Sequence, residues 1–218
     1  MAVSFLSQPP PGVARFEGRA PAGCSFWRRG ETQAFYTQAN DHAECPIGTQ
    51  ILGFEISADR LESSRKFIGD LCDLGYVSEV EFSALPRVPA GHHIVLYTPL
   101  REAHRAPDAV ISTCRASQAM MFYEAGRRLG MPEGSGPAGR PTCAVIPRSM
   151  QTRGVAMSLG CTGARVYAGI APDEMVFSLP GQRLEEILAA LEVVRAVNQD
   201  LEMFHLRQRD GAGGRAVL

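Results

Sequence analysis

Cys161-Thr162-Gly163-Ala164-Arg165-Val166-Tyr167-Ala168-Gly169 repeats a pattern already present in Cys45-Pro46-Ile47-Gly48-Thr49-Gln50-Ile51-Leu52-Gly53: a cysteine, a short run with few charges, and a glycine eight residues on. Upstream of each stands another cysteine. Gly18-Arg19-Ala20-Pro21-Ala22-Gly23-Cys24 leads Cys45 by twenty-one residues, and Gly139-Arg140-Pro141-Thr142-Cys143 leads Cys161 by eighteen. An amphipathic helical pattern follows each pair. Together these stretches describe a degenerate internal duplication, cysteine-strand-strand-cysteine-strand-helix, with related β-rich halves over roughly 13–85 and 93–207 packed about a pseudo-twofold. Chance matching among common residue types is the competing explanation. If the halves are related, Cys24, Cys45, Cys143 and Cys161 converge on one site, two from each half.

Working outward, turn chemistry at Pro9–Gly12, Gly18–Gly23, Asn40-Asp41, Pro86–Gly91, Met131–Pro141 and Gly181 divides the chain into short, mostly β-like segments. β-branched, aromatic or alternating apolar residues mark strands at 24–28, 33–37, 50–56, 93–98, 108–112, 143–147, 154–159, 164–170 and 174–179. Three helices complete the reading. Residues 58–74 put Leu61, Ile68, Leu71 and Cys72 on one face before Gly75, and 116–129 form a Met-rich helix. From about 182 to 207, apolar residues from Leu184 to Phe204 recur at three- and four-residue steps. The expected fold is α+β: one domain over 1–218, three helices covering sheet surface, and a flexible tail at 210–218. The Pro- and Gly-rich stretch 131–141 reads as an internal linker.

A chain of 218 residues with 45% hydrophobic and 21% charged composition has the apolar mass for a real core. A formal charge of −1 leaves no global field to draw it onto nucleic acid or an anionic membrane. No apolar run approaches the roughly 18 residues of a membrane span. Met1–Gln8, followed by Pro9-Pro10-Pro11, lacks the features of a signal peptide, so the expected address is the cytoplasm. There six cysteines stay reduced, and their even number does not imply disulfides. No Walker A loop, GxGxxG, HExxH or GxSxG pattern occurs.

The sequence resembles domain-of-unknown-function family 169, the archaeal conserved region family. The matching stretches are Cys24-Ser-Phe-Trp-Arg28, Asp41-His-Ala-Glu-Cys45-Pro-Ile-Gly48, Gly139-Arg-Pro-Thr-Cys143-Ala-Val-Ile-Pro147 and Ser158-Leu-Gly-Cys161-Thr-Gly-Ala-Arg-Val-Tyr-Ala-Gly169, with Gly75-Tyr76 and Asp173-Glu174. Ala43 stands where the family usually has tyrosine. The resemblance implies that Cys24, Cys45, Cys143 and Cys161 belong to a family pattern, that Cys72 and Cys114 are incidental, and no particular activity.

Four thiolates can hold an iron–sulfur cluster or a structural zinc, and Cys45-Pro46 is a dipeptide frequent in cluster-binding segments. The absence of any Cys-x-x-Cys pair means that only the fold can assemble such a site. The functional expectation is a cysteine-coordinated metal or iron–sulfur protein with a redox role. Its ligands are Cys24, Cys45, Cys143 and Cys161, with His42 behind them or substituting for one, Arg28 compensating charge, and a small-molecule or electron-transfer partner. Three alternatives stay open. One is a non-catalytic module holding a small anion with Arg19, Arg140 and Arg165. Another is a thiol enzyme using Cys45, activated by His42, or Cys161 in its Gly160–Gly163 turn. The last is four small core thiols. His92, His93 and His104 lack a third metal-ligand spacing, and Trp27 reads as a half-buried strand residue.

Overall fold

The computed structural model describes residues 1–132 and 140–211. Among these, β1 (Ala2–Leu6), β2 (Phe35–Thr37), β3 (Ile94–Thr98), β4 (Ala109–Arg115), β5 (Ala156–Ser158) and β6 (Glu174–Pro180) form one sheet in the order β2-β3-β1-β4-β6-β5. Every pairing is antiparallel. The strands preceding residue 100 fill one half of the sheet and those following it fill the other. The helices are α1 (Phe26–Gly30), α2 (Ala39–His42), α3 (Pro46–Ile51), α4 (Leu61–Asp73), α5 (Glu79–Ser83), α6 (Ala116–Arg128), α7 (Val145–Thr152), α8 (Thr162–Ala168) and α9 (Leu184–Gly211). The architecture is α+β.

Alternation along the strands creates two apolar faces. Register places Val3, Phe35, Tyr97 and Ala109 on one of them, and Ile111 follows two residues after Ala109. This face packs with Phe26, Trp27, Val145 and Ile146 of α1 and α7, in a cluster that crosses both halves of the sheet. Buried Ser149 of α7 and Ser178 of β6 satisfy each other through hydroxyls 2.7 Å apart. On the opposite face Val110 and Leu179 meet Ile187 of α9, while Cys114 and Phe177 meet Ala119 of α6.

Five expected strands, at 33–37, 93–98, 108–112, 154–159 and 174–179, correspond to β2 to β6. Four others are helical or end a helix. Residues 24–28 and 143–147 are 3-10 turns running into α1 and α7, 164–170 fall largely in α8, and 50–56 contain the end of α3 and the turn at Gly53. Short apolar runs bury equally well as a strand or as one side of a short helix, so their composition does not separate the two. Conversely, β1 is a strand where none was expected, and the ammonium of Met1 donates to the Ile111 carbonyl at 2.7 Å. Trp27 is accordingly a buried helical residue.

Of the three expected covering helices, α6 and α9 lie on the sheet. α4 instead sets Ile68 and Leu71 against Ile47, Ile51 and Ala144. The expected tail begins as helix, since α9 runs to Gly211, and residues 212–218 lie outside the described residues. So do residues 133–139, the greater part of the expected linker and Gly139 of the second cysteine stretch.

Candidate functional site

Each of the four paired cysteines stands at the head of a helical segment. Cys24 is the middle residue of the 3-10 turn Gly23–Ser25 that leads into α1, and Cys143 has the same place in Thr142–Ala144 before α7. Cys45 immediately precedes α3, whose first residue is Pro46, a position where a missing N–H carries no penalty. Cys161 caps α8, its Sγ accepting the Ala164 N–H at 3.4 Å. The Cys161 N–H donates to Thr142 Oγ1 at 2.6 Å, which fastens one cysteine loop to the other.

These four loops meet. Cys24, Cys45, Cys143 and Cys161 all line one largely apolar cavity of about 480 Å³. Its walls include Trp27, Leu52 and Ile146 from the core, with Phe67, Tyr76 and Tyr167 from α4, the following turn and α8. Burial pushes the Cys24 thiol up to about 12, reinforced by Cys161 and Cys45. It raises Cys143 well above the ordinary thiol value, and Cys45, Cys161 and Cys24 add to that. Cys45 is raised by burial too, against the lowering influence of the Gly48 and Ile47 N–H groups. A Cβ at position 48 would lie 3.3 Å from Cys45 Sγ, so glycine there lets the sulfur fold back over the first turn of α3. Among the described residues, no group of three or more His, Cys, Asp or Glu is arranged to hold a metal ion.

The other expected site residues lie elsewhere. His42 is 1% exposed and turns toward the sheet, with Nε2 2.8 Å from Thr37 Oγ1. The Thr37 hydroxyl donates to the Val95 carbonyl, so Nε2 carries the hydrogen and Nδ1 is a bare acceptor. Nδ1 faces Gly23, where a Cβ would come within 2.7 Å, and has no hydrogen-bond partner. Burial first, then His92, lowers the imidazole to about 3. Packed between Phe26 and Phe54, His42 supports the Gly23–Ser25 turn and makes no hydrogen bond to Cys45 through its ring.

Arg28 reaches Glu174 at 3.0 Å and Glu31 at 3.6 Å, and it donates to the Ala168 carbonyl. Arg19 pairs with Glu44, Arg140 lies over the Tyr76 ring at 4.4 Å, and Arg165 donates to the Leu159 and Ala171 carbonyls. None of these four arginines lines the cavity. Cys72 borders a different cavity between α4 and α5, and Cys114 is buried under α6. His92 packs on Phe5 and Phe54, while His104 borders a groove near Gly181.

Sequence reasoning missed Tyr97. It sits on β3, fully buried, and its hydroxyl has no hydrogen-bond partner. Burial raises its phenol, and the ionisable groups that add to the effect are Cys24 and Cys143. In the sequence it was one more aromatic in an apolar strand, with no signal to separate it from core.

A family model described as uncharacterised ArCR, domain-of-unknown-function family 169, matches residues 1–190. An uncharacterised protein of Methanocaldococcus jannaschii is 32% identical over 121 residues, covering 52% of this chain and 50% of its own length. The chain therefore spans about half the length of that curated relative. No solved structure matches.

Proposed function

The chain belongs to domain-of-unknown-function family 169, and from its own cavity we propose that it is an iron–sulfur protein with a redox role, its cluster held by Cys24, Cys45, Cys143 and Cys161. The observation that carries this reading is the convergence of four cysteines, spread over 138 residues of sequence, on one apolar cavity. Core thiols need no such meeting point.

A single tetrahedral zinc draws four sulfurs to about 3.8 Å from one another, given Zn–S bonds near 2.3 Å. No three candidate ligands among the described residues are so arranged. A cluster spreads its thiolates over several iron atoms and therefore suits a wider ring of sulfurs. The backbone supports thiolate ligands as well: N–H groups of Gly48 and Ile47 act on Cys45, Ser25 on Cys24 and Ala164 on Cys161. Hydrogen bonds to sulfur and exclusion of water are the two means by which a protein adjusts such a group. When bound, the group supplies one-electron transfer. The chain's contribution is to hold four sulfurs, give up their protons on loading and keep solvent away.

The competing chemistries find less support. A thiol nucleophile needs a depressed pKa and a base, whereas Cys24, Cys45 and Cys143 are raised and the ring of His42 turns toward Thr37. An anion site needs uncommitted cations, whereas Arg19, Arg140 and Arg165 have other partners. The same reading takes the two halves, roughly 13–85 and 93–207, as copies of one unit. In support, both contain a cysteine in a 3-10 turn before a helix, a three-residue edge strand, and a cysteine preceding a short helix. It also places the protein in the reducing cytoplasm with an electron-transfer partner.

The test is anaerobic reconstitution with ferrous iron and sulfide, followed by visible absorption and analysis of both elements. Stoichiometric iron and sulfide, reduced by a Ser substitution at any of the four cysteines, is the expected result. Wild-type protein that takes up neither would overturn the proposal.

A further inference from the structure

Along α9, Ile187, Ala190, Val194, Val197, Leu201 and Phe204 recur at alternating steps of three and four. This seven-residue period keeps one apolar seam of a helix turned toward a helical neighbour. The first half of the seam is covered within the chain: Ile187 packs with Val110 and Leu179 of the sheet, and Ala190 and Val194 with Ala125 of α6. α6 last holds the helix through Asn198, whose amide donates to Glu124 at 2.8 Å. The second half of the seam has no such cover. Val197, Leu201 and Phe204 are half-exposed, and no residue from 199 to 211 is buried. A helical stretch that buries none of its apolar face draws little stability from packing. The family match ends at residue 190, so this projecting seam lies beyond it.

We propose that a second copy of this chain covers the seam: residues 197–208 of two α9 helices pair antiparallel about a twofold axis, making the protein a reversible homodimer whatever the cysteine cavity holds. In antiparallel order the two kinds of seam position face each other, so Leu201 meets Phe204 of the second copy and Val197 meets the stem of its Gln208. Charge selects this order. Arg195 and Arg209 are paired within the helix, to Glu192 and Asp210. Asp200 and Arg207, which flank the seam, are in no ion pair among the described residues, and the Arg207 Nε donates to the Met203 carbonyl. Antiparallel pairing sets Asp200 opposite Arg207 of the second copy, and twofold symmetry makes that two ion pairs. Parallel pairing would set Asp200 opposite His205 instead and bring both sheet domains to one end. About three turns from each copy make a small interface, so dissociation falls on the order of tens of micromolar.

The experiment is sedimentation velocity of the full chain from about 1 to about 300 µM. Wild type should pass from monomer to dimer over this range. Phe204→Glu should stay monomeric throughout and keep the wild-type urea midpoint at low concentration, because this ring is not packed into the domain. Asp200→Arg and Arg207→Asp each place like charges opposite one another twice, and each should weaken the dimer about tenfold. The double variant restores opposite charges and should return to within about threefold of wild type. A wild-type chain that is monomeric at every concentration would overturn the proposal, and if it then floated with phosphatidylglycerol vesicles the seam would belong to a lipid surface. A dimer that survives Phe204→Glu would place the interface elsewhere and overturn it as well. Single charge swaps that weaken the dimer without rescue in the double variant would overturn the antiparallel order.

Discussion

Acidifying the protein from pH 7 to pH 5 should destabilise it through His42, a buried side chain that no substrate or metal need touch. The imidazole is sealed between Phe26 and Phe54, donates from Nε2 to Thr37, and is held neutral with its pKa near 3 against 6.5 for a free histidine. The unfolded chain therefore binds a proton below pH 6.5 that the folded chain refuses until about pH 3. Stability present above 6.5 is lost as pH falls through that window, at about 1.4 kcal/mol per pH unit. At pH 5 the loss is about 2 kcal/mol. His92, also lowered by burial, adds in the same direction.

Urea unfolding at pH 7.5, 6.5, 5.5 and 5.0 measures this above the range where carboxylates titrate. His42→Gln is the control, because its amide can still donate to Thr37 but does not ionise. It should start less stable at pH 7.5 yet lose about 2 kcal/mol less than wild type on going to pH 5. Parallel losses in the two proteins would refute the reasoning and show that His42 is not the group being charged.

Gly181→Ala should cost about 3 kcal/mol or more in urea unfolding, because a Cβ there falls 1.8 Å from the Pro107 carbonyl oxygen, a backbone atom that cannot step aside; a loss under about 1 kcal/mol would show that this β4–β6 corner yields. Cys72→Ala and Cys114→Ala should leave iron loading unchanged, with only the buried Cys114 costing on the order of 1 kcal/mol; iron lost from either folded variant would break the division of the cysteines into four and two. Arg28→Gln should cost no more than about 1 kcal/mol and should not change loading, since its half-exposed charge is taken up by Glu174 and Glu31; a large fall in iron content would give it the charge-compensating role that its position does not.

The repeated spacing about Cys24, Cys45, Cys143 and Cys161 was legible because it is a property of sequence order, and so were the alternation of β2 to β6 and the three- and four-residue recurrence along α4, α6 and α9. Long periodic segments declare which face they bury, whatever they pack against. The stretches carrying the cysteines did not declare theirs. Residues 24–28, 143–147 and 164–170 looked like strands, yet the first two are the helical heads that carry Cys24 and Cys143, and the third is largely the body of α8, which walls the cavity beside Cys161. In runs of five to seven apolar residues, packing against distant parts of the chain outweighs local preference. The same holds for single side chains. Arg28 takes its charge partner from Glu174, 146 residues away, His42 turns inward because Thr37, itself bonded to the Val95 carbonyl, supplies its one ring hydrogen bond, and Tyr97 differs from any core aromatic only in what its hydroxyl fails to meet. Sequence determined which residues recur and which faces are apolar. Tertiary structure alone decided where hydrogen bonds and charges find their partners, because those interactions reach only a few ångströms and depend on which distant segments the fold brings within that range.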